Sequence, residues 1–263
     1  RLRLDARGAV EALRIDGDAD TAFGALALTG DLNKRGAQWT GALSALRFAP
    51  TTGPAWALQS PARFSATPSP RGTRLQIASS CFATADRAGS LCADIDWPTR
   101  ADVRGKSLPL VLLEPYLPER DDRRAWKLRG VVDLEAQVRP RGETWQGTAR
   151  LRSADGGLAL DARSRRDVLG YANLDIDARF DPQKIEADIK SALTPNGRIA
   201  GRIATGWDDY APLRGEVEID TEALTWLELF SPDIVDPTGR LSGRIALGGT
   251  RAQPTLGGQA QLS

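Results

Sequence analysis

Histidine and methionine are both missing from the 263 residues, cysteine occurs twice, and aromatic residues make up only 6% of the chain. Without histidine there is no Ser-His-Asp triad, no Cys-His pair, no His-ligated zinc and no imidazole pH switch within this chain. The expectation is a protein that is not an enzyme and needs no cofactor. Basic and acidic side chains balance, 35 against 34, so the formal charge of +1 lacks the cationic excess that confers affinity for phosphate backbones. Nucleic acid is therefore not an expected partner. Long hydrophobic runs are missing too. The most apolar stretch, Leu108 to Leu113, holds Pro109 and stops at Glu114, far below the roughly 20 residues of a bilayer span. No signal-peptide pattern opens the chain, and a start at Arg1-Leu2-Arg3-Leu4 reads as a section of a longer protein whose anchor or export signal lies elsewhere.

What the chain does have is a hydrophobic period of two. Apolar residues alternate with charged or small polar ones at Leu2, Leu4 and Ala6, at Leu13 and Ile15, at Leu26 and Leu28, and at Leu75 and Ile77. The alternation continues through Leu91, Ala93, Ile95 and Trp97, through Val132, Leu134, Ala136 and Val138, through Leu158, Leu160 and Ala162, and through Leu174, Ile176, Ala178 and Phe180. It resumes at Ile185, Ala187 and Ile189, at Val217 and Ile219, at Leu241, Ile245 and Leu247, and at Leu256, Ala260 and Leu262. In a strand, alternate side chains point to opposite faces, so each segment has one dry face and one wet face. Segments are expected to be short and punctuated by turns at Asp16-Gly17-Asp18, Pro68 to Gly72, Asp155-Gly156-Gly157 and Pro195-Asn196-Gly197. The fold class is all-β, a long and mostly antiparallel meander.

Two segments break the alternation and read as short apolar helices. The first, about 107–118, has Ser107 as N-cap, Pro109 in the first turn and Pro118 as stop, with Leu110, Leu113 and Tyr116 on it. The second, about 221–232, carries Leu224, Leu227 and Phe230 and stops at Pro232. They also mark an internal repeat. Leu113-Glu114, Tyr116 and Pro118 match Leu227-Glu228, Phe230 and Pro232, and Arg35-Gly36-Ala37-Gln38-Trp39 matches Arg141-Gly142-Glu143-Thr144-Trp145, both about 110 residues apart. The chain reads as one continuous segment of two approximate repeats, about 1–118 and 119–232, with a further copy starting at 233–263.

Few residues suggest chemistry. Asp16-Gly17-Asp18-Ala19-Asp20 begins like a calcium loop but has Thr21 and Ala27 where glycine and a bidentate glutamate belong, so it reads as a solvated turn. Asp94 with Asp96, and Asp175 with Asp177, lie on wet faces, and the basic clusters at 120–129 and 163–166 are interleaved with acids and read as solvated edges. The seven tryptophans are spread along the chain with no clustered platform and read as core or edge packing. Cys81 and Cys92 fall on two candidate strands of one hairpin. A bond between them closes a loop worth about 3 kcal/mol and implies an oxidising compartment such as the periplasm. The alternative is a pair of buried thiols.

The order of these features resembles the TamB family. The resemblance rests on the Trp145-Gln146-Gly147 strand start, the Ser80-Cys81-Phe82 to Leu91-Cys92 hairpin and the Leu110 to Pro118 segment followed by Gly130. It rests further on the Leu224 to Phe230 segment followed by Leu241-Ser242-Gly243, and on the closing run Leu247 to Gly258. The resemblance places the chain in a middle-to-late periplasmic portion of an inner-membrane-anchored protein of Gram-negative bacteria, similar to AsmA-like and bridge-like lipid-transfer proteins. It implies a sheet curled into an open, taco-like groove with an apolar interior, and phospholipid acyl chains as cargo. Partners on this view are unfolded outer-membrane β-barrel proteins and, through regions outside this chain, TamA. The groove-lining set is then Leu13, Ile15, Leu26, Leu28, Leu75, Ile77, Ile95, Val132, Leu134, Leu158, Leu160, Leu174, Ile176, Ile185, Ile189, Val217, Ile219, Leu241, Ile245 and Leu256. Two other readings remain: a scaffold that holds strands of outer-membrane proteins for insertion, and a secreted β-sandwich or adhesin repeat with a filled core.

Overall fold

The computed structural model describes residues 1–9, 11–70, 72–117, 126–159, 167–222, 224 and 237–263, with only the backbone at 116. The described chain is a single antiparallel sheet of seventeen strands. They are β1 (Leu2–Ala9), β2 (Ala12–Thr21), β3 (Gly24–Arg35), β4 (Gln38–Pro50), β5 (Trp56–Leu58), β6 (Ala62–Ser69), β7 (Gly72–Thr84), β8 (Ser90–Trp97) and β9 (Arg100–Pro109). After a 3-10 helix at Leu110–Tyr116 come β10 (Lys127–Arg141), β11 (Thr144–Ala159), β12 (Leu169–Phe180), β13 (Ile185–Thr194), β14 (Gly197–Thr205), β15 (Arg214–Thr221), β16 (Leu241–Gly249) and β17 (Pro254–Leu262). Sequence neighbours pair almost throughout, as a meander requires. The exception is β5, which shares with β6 the space between β4 and β7.

The chain divides into two compact units, one of Arg1–Pro115 with Leu134–Pro140 and one of Tyr116–Asp133 with Arg141–Ser263. In the first, the register carries one row of dry-face residues from strand to strand: Leu13 opposes Leu32, then Gly41, Phe64, Ile77, Ile95 and Ala101 follow in turn. In the second, the row runs Leu151, Ile176, Ile189, Gly201, Val217, Ile245 and Gly258. Because side chains alternate with period two, this register puts every neighbouring residue of those strands on the opposite, charged face.

Several sequence expectations change. The segment read as a helix at 107–118 is strand as far as Pro109, and only the 3-10 helix Leu110–Tyr116 follows. Ser107 has a φ of 49° within the strand end, so it does not cap a helix, and Pro115 lies inside the short 3-10 run. The helix expected at 221–232 falls on residues outside the described ones, apart from the strand end at Thr221, Glu222 and the buried Leu224. Asp16-Gly17-Asp18 is not a turn: β2 runs straight through it, with Gly17 on the dry face against Leu4 and Leu28 and the aspartates on the wet face. Asp155-Gly156-Gly157 likewise lies inside β11. A side chain at Gly156 would collide with the Tyr171 hydroxyl group, so this glycine serves close packing and not chain reversal. Within the expected turn regions, β6 ends at Ser69 and β7 starts at Gly72, and Pro195-Asn196 separates β13 from β14. Strands of up to 16 residues replace the short segments anticipated.

Candidate functional site on the apolar sheet face

Alternation produces the dry face; what matters is how far it is covered. Among the described residues the buried apolar side chains are Trp56, Ala62, Ala83, Val132, Ala159, Val168, Leu193 and Leu224. Leu2, Leu4 and Leu262 on the outer strands are exposed, and most of the remaining dry-face residues are only half-buried. This holds for Leu13, Ile15, Leu26, Leu28, Leu75, Ile77, Ile95, Leu134, Leu158, Leu174, Ile176, Ile185, Ile189, Val217, Ile219, Leu241 and Ile245. Val132 is buried, Leu256 on β17 is 72% exposed, and Leu160 lies outside the described residues. The half-buried side chains are partly covered and partly exposed.

The wet face is held by ion pairs laid across the strands. In the first unit Asp102 accepts from Arg139 at 2.7 Å and from Arg100 at 3.2 Å, and Arg100 also reaches Asp94 at 3.0 Å. In the second, Arg152 pairs with Asp175 at 3.3 Å, Arg202 with Asp188 at 2.8 Å, and Arg244 lies between Glu216 at 2.7 Å and Glu218. The hydrogen bond from Arg150 holds the Asp177 carboxyl below its usual range, and that from Arg240 does the same for Asp220. These carboxylates are paired and exposed, which suits a solvated face and not general acid catalysis. A cleft of about 370 Å³ in the second unit is lined by Asn196, Arg198, Asp220 and Arg240, the last two paired at 2.7 Å in its wall. Of the basic clusters, Lys127 and Arg129 on β10 are described, and Arg129 pairs with Asp155 at 3.2 Å and with Asp167; residues 120–125 and 163–166 lie outside the described ones.

Cys81 and Cys92 oppose each other across β7 and β8 and are joined in a disulfide, with Cα atoms 4.0 Å apart. Their parity with Asp94 and Asp96 places the bond on the wet face, next to a register shift between Ile77 and Ser80. The short helix packs in the first unit beside the loop after β4, where Leu112 and Val111 lie close to Gly53. For Tyr116 the side chain, and for Leu227 and Phe230 the whole residue, fall outside the described set.

The tryptophans are not simply dispersed. Trp145 at the start of β11, Phe180 at the end of β12 and Trp207 just after β14 form a cluster, with ring centroids 6.1, 6.3 and 5.9 Å apart. Sequence reading missed it because residues 35 and 27 positions apart in the chain meet only when three hairpins fall into register. The signal was present in parity: Trp145 shares a face with Gly147, which opposes Phe180.

Comparison with known proteins now bears on this geometry. The family model described as TamB, N-terminal domain, matches residues 1–262. The chain belongs to the TamB family. The matching description is that of the N-terminal domain, whereas the sequence resemblance pointed to a middle-to-late portion. TamB membership ties the chain to the translocation and assembly module and, at the level of the family, to TamA. No curated protein and no solved structure matches the chain.

Proposed function

We propose that the half-buried apolar faces are the wall of an open groove that carries phospholipid acyl chains through the periplasm, between inner and outer membrane, and thereby supports outer-membrane assembly with TamA. The observation that carries this reading is the unbroken row of dry-face residues in each unit, backed by a charged face and left half-covered. An acyl chain of about 16 carbons in water costs on the order of 12 kcal/mol, at roughly 0.8 kcal/mol per methylene. A continuous apolar wall lowers that cost all along its length. Its contacts are non-directional, so a lipid slides along it without a deep trap. The work needs no catalytic residue. No described helix is long and apolar enough to cross a membrane, and on this reading the inner-membrane anchor is supplied outside the described strands. A secreted sandwich would bury its dry face against a second layer, and the partial exposure of Ile176, Ile189, Val217 and Ile245 speaks against it.

The test is the cargo. The intact protein, isolated gently from Gram-negative membranes, is expected to carry phospholipid detectable by mass spectrometry of its organic extract. Recovery of outer-membrane protein strands in place of lipid would overturn the lipid reading in favour of the strand-holding scaffold, and an empty extract would overturn both.

A further inference from the structure

The two ends of the strands in the second unit differ. At one end lie Asn196, Glu222, Asp220 and Arg240, joined to one another by hydrogen bonds and an ion pair. At the other end lies the aromatic cluster. Trp207 is 46% exposed and its indole N–H donates to the Asp181 carbonyl at 2.6 Å, so its ring stands fixed at the boundary between dry face and solvent. Arg141 ends β10 at this end, and Lys184, just before β13, pairs with Glu186 at 3.0 Å. Backbone N–H groups of Gln183 and Lys184 hold the Asp181 carboxyl below its usual range, and the charges of Lys184 and Arg141 act in the same direction, which places both cations near it.

The first unit repeats the pattern independently. Gly36 and Gly142 have φ values of 59° and 60°, so the two Arg-Gly turns share one backbone form that glycine supplies without strain. Each sets a tryptophan at the start of the next strand. In the first unit Trp39 opposes Ala66, which leads through Leu75 to Trp97 in the same row, and Lys34 Nζ stands 5.0 Å from the Trp39 ring centre. Tryptophan suits such a place because one edge of it is apolar and the other carries a donor.

We propose that a phospholipid held on the apolar face of the second unit has its headgroup at the Trp145 end, framed by Trp145, Phe180 and Trp207, with Arg141 and Lys184 supplying positive charge beside Asp181 and Glu186. This rests on the lipid-groove reading and adds a direction to it. Acyl chains lie along the strands' dry face, and headgroups line up at one end of them. The aromatic rings favour the ammonium of a zwitterionic headgroup while the cations favour its phosphate.

The test uses two photoreactive phosphatidylethanolamines, one with the diazirine in the acyl chain and one with it in the headgroup, presented in vesicles to the intact protein. Adducts are mapped by peptide mass spectrometry. The acyl probe is expected at Ile176 and Ile189, and the headgroup probe at Trp145, at 180–184 and at 205–207. Replacing Trp145→Ala and Trp207→Ala together should lower the headgroup adducts about fivefold and leave the acyl adducts unchanged. Headgroup adducts at 194–198 and 221–222, or equal at both ends, would overturn the proposal while leaving the groove intact. Acyl adducts missing from the dry face would overturn the groove itself. The map of the unsubstituted protein decides the matter should the double variant fail to fold.

Discussion

The two faces of the same strands are built on different physics. On the dry face, Ile176 opposes Ile189 and Leu151, and contact is made by shape and area; one residue along, Asp177 opposes Arg150 and pairs with it by charge. Exposed ion pairs contribute little individually and are screened by salt, whereas apolar area contributes about 25 cal/mol per Å² whatever the partner. On the proposed reading the charged face stays solvated while the dry face exchanges one apolar partner for another.

The largest effect is expected from moving charge to the wrong face. Ile176→Asp places a poorly solvated carboxylate in the row and should abolish lipid transport in cells while the purified protein keeps its β-type circular dichroism. Asp177→Asn, one residue away, should leave transport unchanged. Equal losses from the two would erase the distinction between the faces.

Next comes the disulfide. Cys81→Ser should lower unfolding stability by about 3 kcal/mol on the chain-entropy estimate, read by urea titration against the oxidised unsubstituted protein, with transport at low temperature preserved because the bond lies on the wet face. A loss of transport at full stability would mean that the bond does more than brace the β7 and β8 hairpin.

Filling the row should cost less. Gly41 lies between Leu32 and Phe64, and a Cβ there would meet the Asp31 carbonyl and the Phe64 ring at 2.5 and 2.6 Å. Gly41→Val is expected to destabilise by about 1–3 kcal/mol through overpacking, measured by thermal melting.

The smallest effect belongs to the wet-face pairs. Asp177 and Asp220 have depressed carboxyl pKa values, so their contribution is present above the unfolded value near 3.8 and is lost as pH falls through the lower folded value. Arg150→Ala should therefore change stability little at neutral pH, less still at high salt, and should flatten the acid limb of the stability curve below about pH 4. A large loss at pH 7 would show that the charged face bears more of the fold than its exposure suggests.

Much of this was legible in the chain. Strict alternation at Leu174, Ile176 and Ala178 predicts strand, face and partner because the pleat has no other way to bury three apolar residues so spaced. The opposition of Cys81 and Cys92 followed from hairpin spacing. The failures have one cause. Asp-Gly-Asp at 16–18 and Asp-Gly-Gly at 155–157 have turn composition, yet they keep period two, and pairing with β1, β3 and β12 outweighs local preference. Leu110 to Tyr116 has helical composition, but extended backbone at Leu108 and Pro109 leaves only the 3-10 segment. The cluster of Trp145, Phe180 and Trp207 needs the register of four strands before the rings meet, and no local window contains that.

The most direct measurement of the central claim is site-specific photocrosslinking in cells, with a photoreactive amino acid at Ile176, Ile189, Val217 or Ile245 on the dry row and at Asp177, Asp188, Glu216 or Arg244 beside each on the wet face. The account predicts phospholipid adducts at all four dry positions and none at the four wet ones. Adducts equal on the two faces, or absent from both, would contradict it.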